Sequence, residues 1–371
     1  MIREAEKNDL QQLLNIENRS FFTDKLSRRN LEYLLTKANA TTLVDEETER
    51  IRGYALILYN RGTSIARLYS LVVDPDFRGL GIGLRLLAAS ENDALDNECV
   101  LMRLEVRKDN ATAINLYKEQ GYKQFDIIED YYEDHTEALR FEKNLVPHLN
   151  PEIVRVPFYR QTVDFTCGPA ALLMAMKAVN NEIQIDRKLE LRIWRESTTI
   201  FMTSGHGGCS PYGLALSAFN RGFEVEIFVN GKSTLFIDSV RARQKKEVMQ
   251  LVQEDQLDEI KKLPINLHYG VLSIQAIQKK FNKGSIPIVL ISSYRIYHEK
   301  TPHWVVMTGF DERYIYVHDS FVDFDEGEVE SDSINMPILK KDFERMSRYG
   351  KAGQKAVLII SKRKPELNKT N

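Results

Sequence analysis

Leu71-Val72-Val73-Asp74-Pro75-Asp76-Phe77-Arg78-Gly79-Leu80-Gly81-Ile82-Gly83 is the stretch that decides how the first part of this chain folds. Residues 66–74 read as a strand that stops at Asp74-Pro75. Arg78 to Gly83 then turn the chain into a helix over 82–96, where Leu84, Leu87, Ala88 and Leu95 recur at helical spacing. Glycines at such a turn let backbone N–H groups point inward and approach a ligand closely. The helix N-terminus behind them adds a partial positive charge, so the turn suits a phosphate or pyrophosphate. The Arg-x-x-Gly-x-Gly spacing is not a dinucleotide fingerprint, and no Lys-Ser/Thr follows as in a Walker loop.

On either side, strand and helix patterns alternate. Residues 9–18 read as a helix, 53–59 as a strand, 100–107 as a strand, and 110–120 as a helix stopped by Gly121. Strands near 122–129 and 136–143 complete a mixed α/β domain.

Arg78, Gly81 and Gly83 are followed, in matching order and spacing, by Leu104-Glu105-Val106-Arg107, Asn110, Ala113, Leu116-Tyr117 and Gly121-Tyr122. Together they resemble the GNAT superfamily of acetyl-CoA-dependent N-acetyltransferases, and within it the branch that acetylates protein N-termini, notably that of a ribosomal protein. The resemblance covers about residues 1–145. It implies a GNAT α/β fold, a mixed central sheet with flanking helices, and acetyl-CoA as co-substrate. The cofactor would lie against Leu71, Val72, Val73, Arg78, Gly79, Leu80, Gly81, Ile82, Gly83 and Asn110. Acetyl transfer needs a neutral amine, a base to take its proton and an acid to protonate the departing thiolate. The resemblance assigns the base to Glu105 and the acid to Tyr117, and lets backbone amides near Leu71–Val73 hold the acetyl carbonyl. From the residues alone, Glu105 between Leu104 and Val106 equally fits the solvated face of a strand. Tyr117 beside Ile114 and Leu116 equally fits a core position. Tyr131, Tyr132 and Ser20-Phe21-Phe22 are candidates to border the acceptor, with strand packing the plainer reading of the tyrosines.

A break falls at 144–151, which carries two prolines and no helical period. The expected domains are 1–146 and 152–371. Beyond the break, 168–180 reads as a buried helix, apolar nearly all round, and 211–221 and 272–283 as further helices. Strands follow at 224–229, 286–292, 304–310, 314–318 and 356–361, which suggests an α+β domain with a frayed tail after Lys362. Cys167 opens the buried helix, where the helix field favours thiolate over thiol. His303 begins one strand and Asp319 ends the next. A hairpin turning near Asp311-Glu312 would set them side by side as base and orienting partner. Gln161, six positions before Cys167, can offer its amide to a developing oxyanion.

Gln161, Cys167-Gly168, His303 and Asp319 resemble the C39 family of papain-like cysteine peptidases, especially its stand-alone C39-like relatives. The resemblance implies an α+β papain-like fold over about residues 152–325 and onward to 362. Thr166 stands where many such peptidases have Asp. An acetyltransferase followed by a C39-like domain resembles a known bacterial two-domain family. The resemblance implies N-acetylation of a peptide or protein N-terminus joined to cysteine-dependent amide hydrolysis or acyl transfer. Two other readings stand beside it: a C39-like half that only binds peptide, and a first half that only senses acyl-CoA. Cys99 and Cys209 read as packing residues. His206, in a glycine-rich loop, is the other histidine candidate, and His268, His298 and His318 have no clear chemical context. No Cys/His pair has zinc-ligand spacing, so no metal is expected.

The 371 residues suffice for two or three domains. With 51 Lys and Arg against 53 Asp and Glu, the usual electrostatic case for nucleic-acid binding is absent. Three cysteines cannot all pair, which favours a reducing compartment over a disulfide scaffold. MIREAEKNDL is no secretory signal, and no apolar run reaches membrane-helix length. The expectation is a soluble cytoplasmic protein whose partners are acetyl-CoA and a peptide or protein substrate, without membrane or nucleic acid.

Overall fold

The computed structural model describes residues 1–146, 152–199, 207–297, 299, 301–324 and 328–363. Residues 147–151 of the expected break, His206, His298 and the chain after Arg363 lie outside the described residues. The chain divides into two compact units, Met1–Leu149 and Asn150–Asn371.

The first unit runs β1 (Ile2–Glu4), α1 (Leu10–Ser20), α2 (Arg28–Thr36), β2 (Ala40–Glu47), β3 (Arg50–Tyr59), β4 (Ile65–Val73), α3 (Ile82–Asp96), β5 (Leu101–Arg107), α4 (Ala111–Glu119), β6 (Lys123–Ile128) and β7 (Ala138–Asn144). The sheet order is β1-β2-β3-β4-β5-β7-β6. Only β4 and β5 are parallel; the other neighbours are antiparallel. Because side chains alternate along a strand, β3 feeds two cores. Tyr54 and Leu56 pack with Leu10, Leu13 and Ile16 of α1 and Leu31 of α2. Ala55 and Ile57 pack with Ile82, Leu86 and Leu87 of α3 and Ile114 of α4.

The expected face of α3 needs correcting. Leu84 and Leu95 are exposed, and the buried face is Ile82, Leu86, Leu87, Ser90 and Ala94. Ser90 satisfies its hydroxyl on the Leu86 carbonyl (2.8 Å), so a polar residue can occupy the core-facing stripe.

One irregularity positions the site. β4 pairs with β5 from Ile65↔Leu101 to Leu68↔Leu104 and no further. There β4 also bulges against β3, the register stepping from Ile57↔Leu68 to Leu56↔Ser70 so that Tyr69 is extra. A bulge bends its strand and increases the local twist. Beyond it, β4 runs to Val73 paired only with β3, and β5 to Arg107 paired only with β7, so the two strands part from each other.

The second unit runs β8 (Glu152–Ile153), α5 (Cys167–Val179), α6 (Arg187–Ser197), α7 (Pro211–Asn220), β9 (Phe223–Val229), α8 (Arg243–Lys261), β10 (Asn266–Tyr269), α9 (Ile274–Phe281), β11 (Ile286–Ser292), α10 (Tyr294–Tyr297), β12 (Pro302–Phe310), β13 (Tyr314–Asp319), β14 (Met336–Leu339), α11 (Lys340–Met346) and β15 (Ala356–Lys362). Its sheet order is β10-β9-β15-β11-β12-β13-β14, with β8 added to β12. Helices do not simply precede strands, because α8 and α9 fall among them. α5 is buried from Gly168 to Met176 and packs on β11 and β12. Among the described residues no helix is long and apolar enough to cross a membrane.

Candidate functional sites

In the first unit the glycine turn takes the backbone that only glycine adopts freely. Gly79 and Gly81 have φ of +81° and +72°, and a Cβ on Gly79 would meet nothing within 4 Å. Gly81 is the N-cap of α3, so the first-turn N–H groups of Ile82, Gly83 and Leu84 have no acceptor within the helix. Arg78 reaches back from the turn to the Val73 carbonyl (Nε, 3.4 Å), and Leu80 is exposed. The turn thus follows directly on Leu71–Val73, where β4 has left β5. An open cradle of backbone donors with a guanidinium beside it fits the pyrophosphate of a CoA-type group. Asn110 is the N-cap of α4, its Oδ1 accepting from the Ala113 N–H (3.1 Å).

Glu105 lies where the strands part, and it is not on a solvated face. Its side chain is 5% exposed and accepts from Arg67 Nε (2.8 Å) and Arg140 Nε (2.9 Å), one on each oxygen. Arg67 also donates to the Tyr131 hydroxyl (2.8 Å). Burial pushes that hydroxyl up to about 12. Tyr131 and Tyr132 meet edge to face in the loop between β6 and β7, not on a strand as expected. That loop is clasped to the loop after α1: Glu133 N–H donates to Asp24 Oδ1 (3.0 Å), and Asp24 N–H to Glu133 Oε2 (3.3 Å). Ser20 ends α1, and Phe22 in the loop is fully exposed. Tyr117 is buried against Tyr122 and Phe141, and burial raises its hydroxyl well above the ordinary phenol range, so it remains a proton donor. Arg67 and Arg140 were not singled out from the sequence. Their signal was an arginine inside the apolar stretches Ile65-Ala66-Arg67-Leu68 and Ala138-Leu139-Arg140-Phe141, where a buried charge demands a carboxylate partner.

In the second unit the three expected residues come together. β12 and β13 pair with Val305 opposite Asp319, and His303 Nε2 donates to Asp319 Oδ1 (2.5 Å). Cys167 is the imidazole's other hydrogen-bond partner, which leaves Nδ1 to face it. Burial alone would lower the His303 pKa. The negative charges of Asp319 and Cys167 and their hydrogen bonds outweigh it, holding the imidazolium well above the usual histidine range. Cys167 itself is half-buried at the first position of α5. A Cβ on the adjacent Gly168 would lie 3.1–3.2 Å from Cys209, Leu214 and Trp304, so glycine is what lets the start of α5 sit this close to its neighbours.

Asp319 is fully buried and takes two further donors, Phe321 N–H (2.9 Å) and the Tyr297 hydroxyl (3.0 Å). Gln161 Nε2 donates to the Val163 carbonyl (3.2 Å), and its Oε1 accepts from Ser320 Oγ (2.9 Å). Thr166 donates to the buried Glu190 (2.5 Å), which also accepts from Tyr159 and from the Thr162 backbone and hydroxyl. Glu190 thereby ties α6 to the loop leading into Cys167. Tyr297, Glu190 and Ser320 carry no sequence signal of their own.

The remaining candidates separate. Burial and the nearby Cys167 raise the Cys209 thiol well above its ordinary value, and burial pushes Cys99 up to about 12. His318 is buried with Nδ1 accepting from Asn335 N–H (3.0 Å) and Nε2 donating to the Val156 carbonyl (2.9 Å). Burial lowers its pKa to about 4, so it is a neutral structural imidazole. His268 stacks on Phe228. Among the described residues no cluster of three His, Cys, Asp or Glu side chains could hold a metal ion.

Comparison with known proteins finds two matches along the chain. Residues 7–122 match the acetyltransferase (GNAT) family, and residues 156–361 match the Peptidase_C39 like family. An uncharacterized N-acetyltransferase of Methanocaldococcus jannaschii is 31% identical over 155 residues, which is 42% of this chain and 97% of that protein. A ribosomal protein bS18 alanine N-acetyltransferase of Salmonella typhimurium is 39% identical over 67 residues, 18% of this chain and 45% of that protein. The solved ribosomal-protein-alanine N-acetyltransferase of Brucella melitensis is similar at 24% identity and a TM-score of 0.36, over 39% of this chain and 99% of that one.

Proposed function

We infer, for a chain that belongs to the acetyltransferase (GNAT) family through its first unit and to the Peptidase_C39 like family through its second, that it carries two acyl-transfer chemistries. The first unit acetylates an amine, that of a peptide or protein N-terminus. The second hydrolyses or transfers an acyl group through a Cys167 thioester in a papain-like arrangement.

In the first unit the carrying observation is the parting of β4 from β5 directly ahead of the glycine turn. Arg78, Gly79, Gly81 and the first N–H groups of α3 hold the pyrophosphate, and Asn110 borders the cofactor. The backbone of Leu71–Val73, paired with β3 but not with β5, holds the acyl carbonyl on its β5 side. Acetyl-CoA, when bound, supplies an activated thioester. Glu105 retains lone pairs beyond its two guanidinium bonds and draws the proton from the amine through water. Tyr117, kept protonated by burial, gives a proton to the leaving sulfur. A Tyr117→Phe variant is expected to lose about a hundred-fold in kcat for acetylation of an N-terminal peptide library, with the KM for acetyl-CoA within two-fold of wild type. Equal kcat in the two proteins removes Tyr117 from the chemistry. No transfer to any peptide, despite acetyl-CoA binding, favours a sensor.

In the second unit the carrying observation is the single imidazole bridging Asp319 and Cys167. The Cys167 thiolate attacks the carbonyl carbon, Gln161 donates to the resulting oxyanion, and His303 passes its proton to the leaving amine. Water, deprotonated by His303, then releases the acyl group. Alkylation of Cys167 by iodoacetamide at pH 6 is expected to be at least ten-fold faster in the wild-type protein than in a His303→Ala variant, which lacks the imidazole that takes the thiol proton. Equal rates favour the peptide-binding module instead.

A further inference from the structure

We propose that Ser320 is a positioning residue that holds the Gln161 side-chain amide in place with its NH₂ end toward the acyl group at Cys167. The proposal rests on the reading of Cys167 as a nucleophile. A primary amide has two ends of nearly equal shape, and only its NH₂ end can stabilise an oxyanion. One neighbour decides the orientation here and a second holds it. The Val163 carbonyl can only accept, so the end beside it must be the NH₂ (3.2 Å). The opposite end is then the oxygen, and it needs a donor; the Ser320 hydroxyl supplies one (2.9 Å). Gln161 is 7% exposed and Ser320 fully buried, so water does not compete for these bonds.

The backbone completes the clamp. The Gln161 N–H donates to the Ser320 carbonyl (2.9 Å), so the side-chain amide and its own backbone are both fixed by one residue. Ser320 directly follows Asp319, which holds His303. A single dipeptide therefore registers the oxyanion donor and the imidazole to each other. With one N–H of Gln161 on Val163, the second N–H is the one left for the substrate.

Two probes of the full-length protein separate this role from general support of the fold. Acylation by p-nitrophenyl acetate joins Cys167 sulfur to the acetyl carbon through an oxyanion and releases p-nitrophenolate. Iodoacetamide reacts by direct displacement of iodide at carbon and forms no oxyanion. Both rates are corrected by the Cys167→Ala protein. Ser320→Ala is expected to slow acylation about ten-fold while alkylation and its pH profile stay within two-fold of wild type. Gln161→Ala should slow acylation at least as much, and adding Ser320→Ala to it should change the rate by less than two-fold. Unchanged acylation in Ser320→Ala, multiplying effects in the double variant, or an equal loss of alkylation each overturns the assignment. Equal alkylation rates in the wild-type and His303→Ala proteins overturn the nucleophile reading, and the assignment with it.

Discussion

Asp319→Asn is expected to slow iodoacetamide alkylation of Cys167 about a hundred-fold at pH 6. The substitution isolates charge from shape. An asparagine oxygen can still accept from His303 and from the Phe321 N–H, which both bond Oδ1, and the Tyr297 hydroxyl can reverse its bond toward the new NH₂ group. What disappears is the negative charge that opposes the burial of His303. Burial then dominates, the imidazole becomes neutral, and Cys167 loses its cationic neighbour. Stability carries the same signature. A histidine whose folded pKa lies above its unfolded value near 6.5 contributes stability that is full below that value and is lost as pH rises through the folded one. Urea unfolding should therefore separate wild type from Asp319→Asn most at pH 5–6 and progressively less on the alkaline side. A pH-independent gap, or wild-type alkylation kinetics in the variant, contradicts the imidazolium–thiolate pair.

The parts of the structure that the sequence announces are those where one physical requirement acts alone. Gly79 and Gly81 mark their turn because left-handed backbone is costly for any other residue. α5 is legible because it is apolar all round. The His303–Asp319 pairing follows from hairpin register. The longest helix, α8, escapes because two of its four buried residues are Gln253 and Gln256. Gln253 accepts from the Leu235 N–H (2.9 Å) and Gln256 from Ser210 (2.6 Å), so polar side chains occupy its packed face while Val248 and Leu251 stay exposed. α6 is hidden the same way, with Glu190 and Ser197 buried beside Ile193. Glu105 shows the converse. Its alternation with apolar neighbours matches a solvated strand face, and only tertiary pairing reveals two arginines closing over it. Hydrophobic periodicity cannot register a face whose polar groups are satisfied by partners far along the chain.

Gly53→Ala, outside the glycine motif, is expected to damage the proposed acetyl-CoA site more than Gly83→Ala within it. A Cβ on Gly53 of β3 would stand 2.6 Å from the Val72 carbonyl and 3.3 Å from both Ile82 and Leu86. The first contact is backbone in the adjacent strand and cannot turn aside. The other two are the opening turns of α3. Relief therefore requires β4 and α3 to move from β3, taking with them Leu71–Val73 and the helix that the glycine turn caps. Overpacking of this kind costs about 1–3 kcal/mol. Acetyl-CoA affinity, measured by calorimetry, should fall at least ten-fold. Gly83 has ordinary helical backbone, and its Cβ would meet Val73 and Leu116 at 3.7 and 3.8 Å, which is normal contact. That direction leads into the packing between β4 and α4 rather than toward the open side of the turn. Alanine there also removes up to about 1 kcal/mol of helix penalty, so stability should hold or rise and acetyl-CoA affinity stay within three-fold. Greater loss of affinity from Gly83→Ala than from Gly53→Ala would mean that the cofactor approaches α3 from its packed side, and the cradle formed by Gly79, Gly81 and the α3 terminus would have to be abandoned.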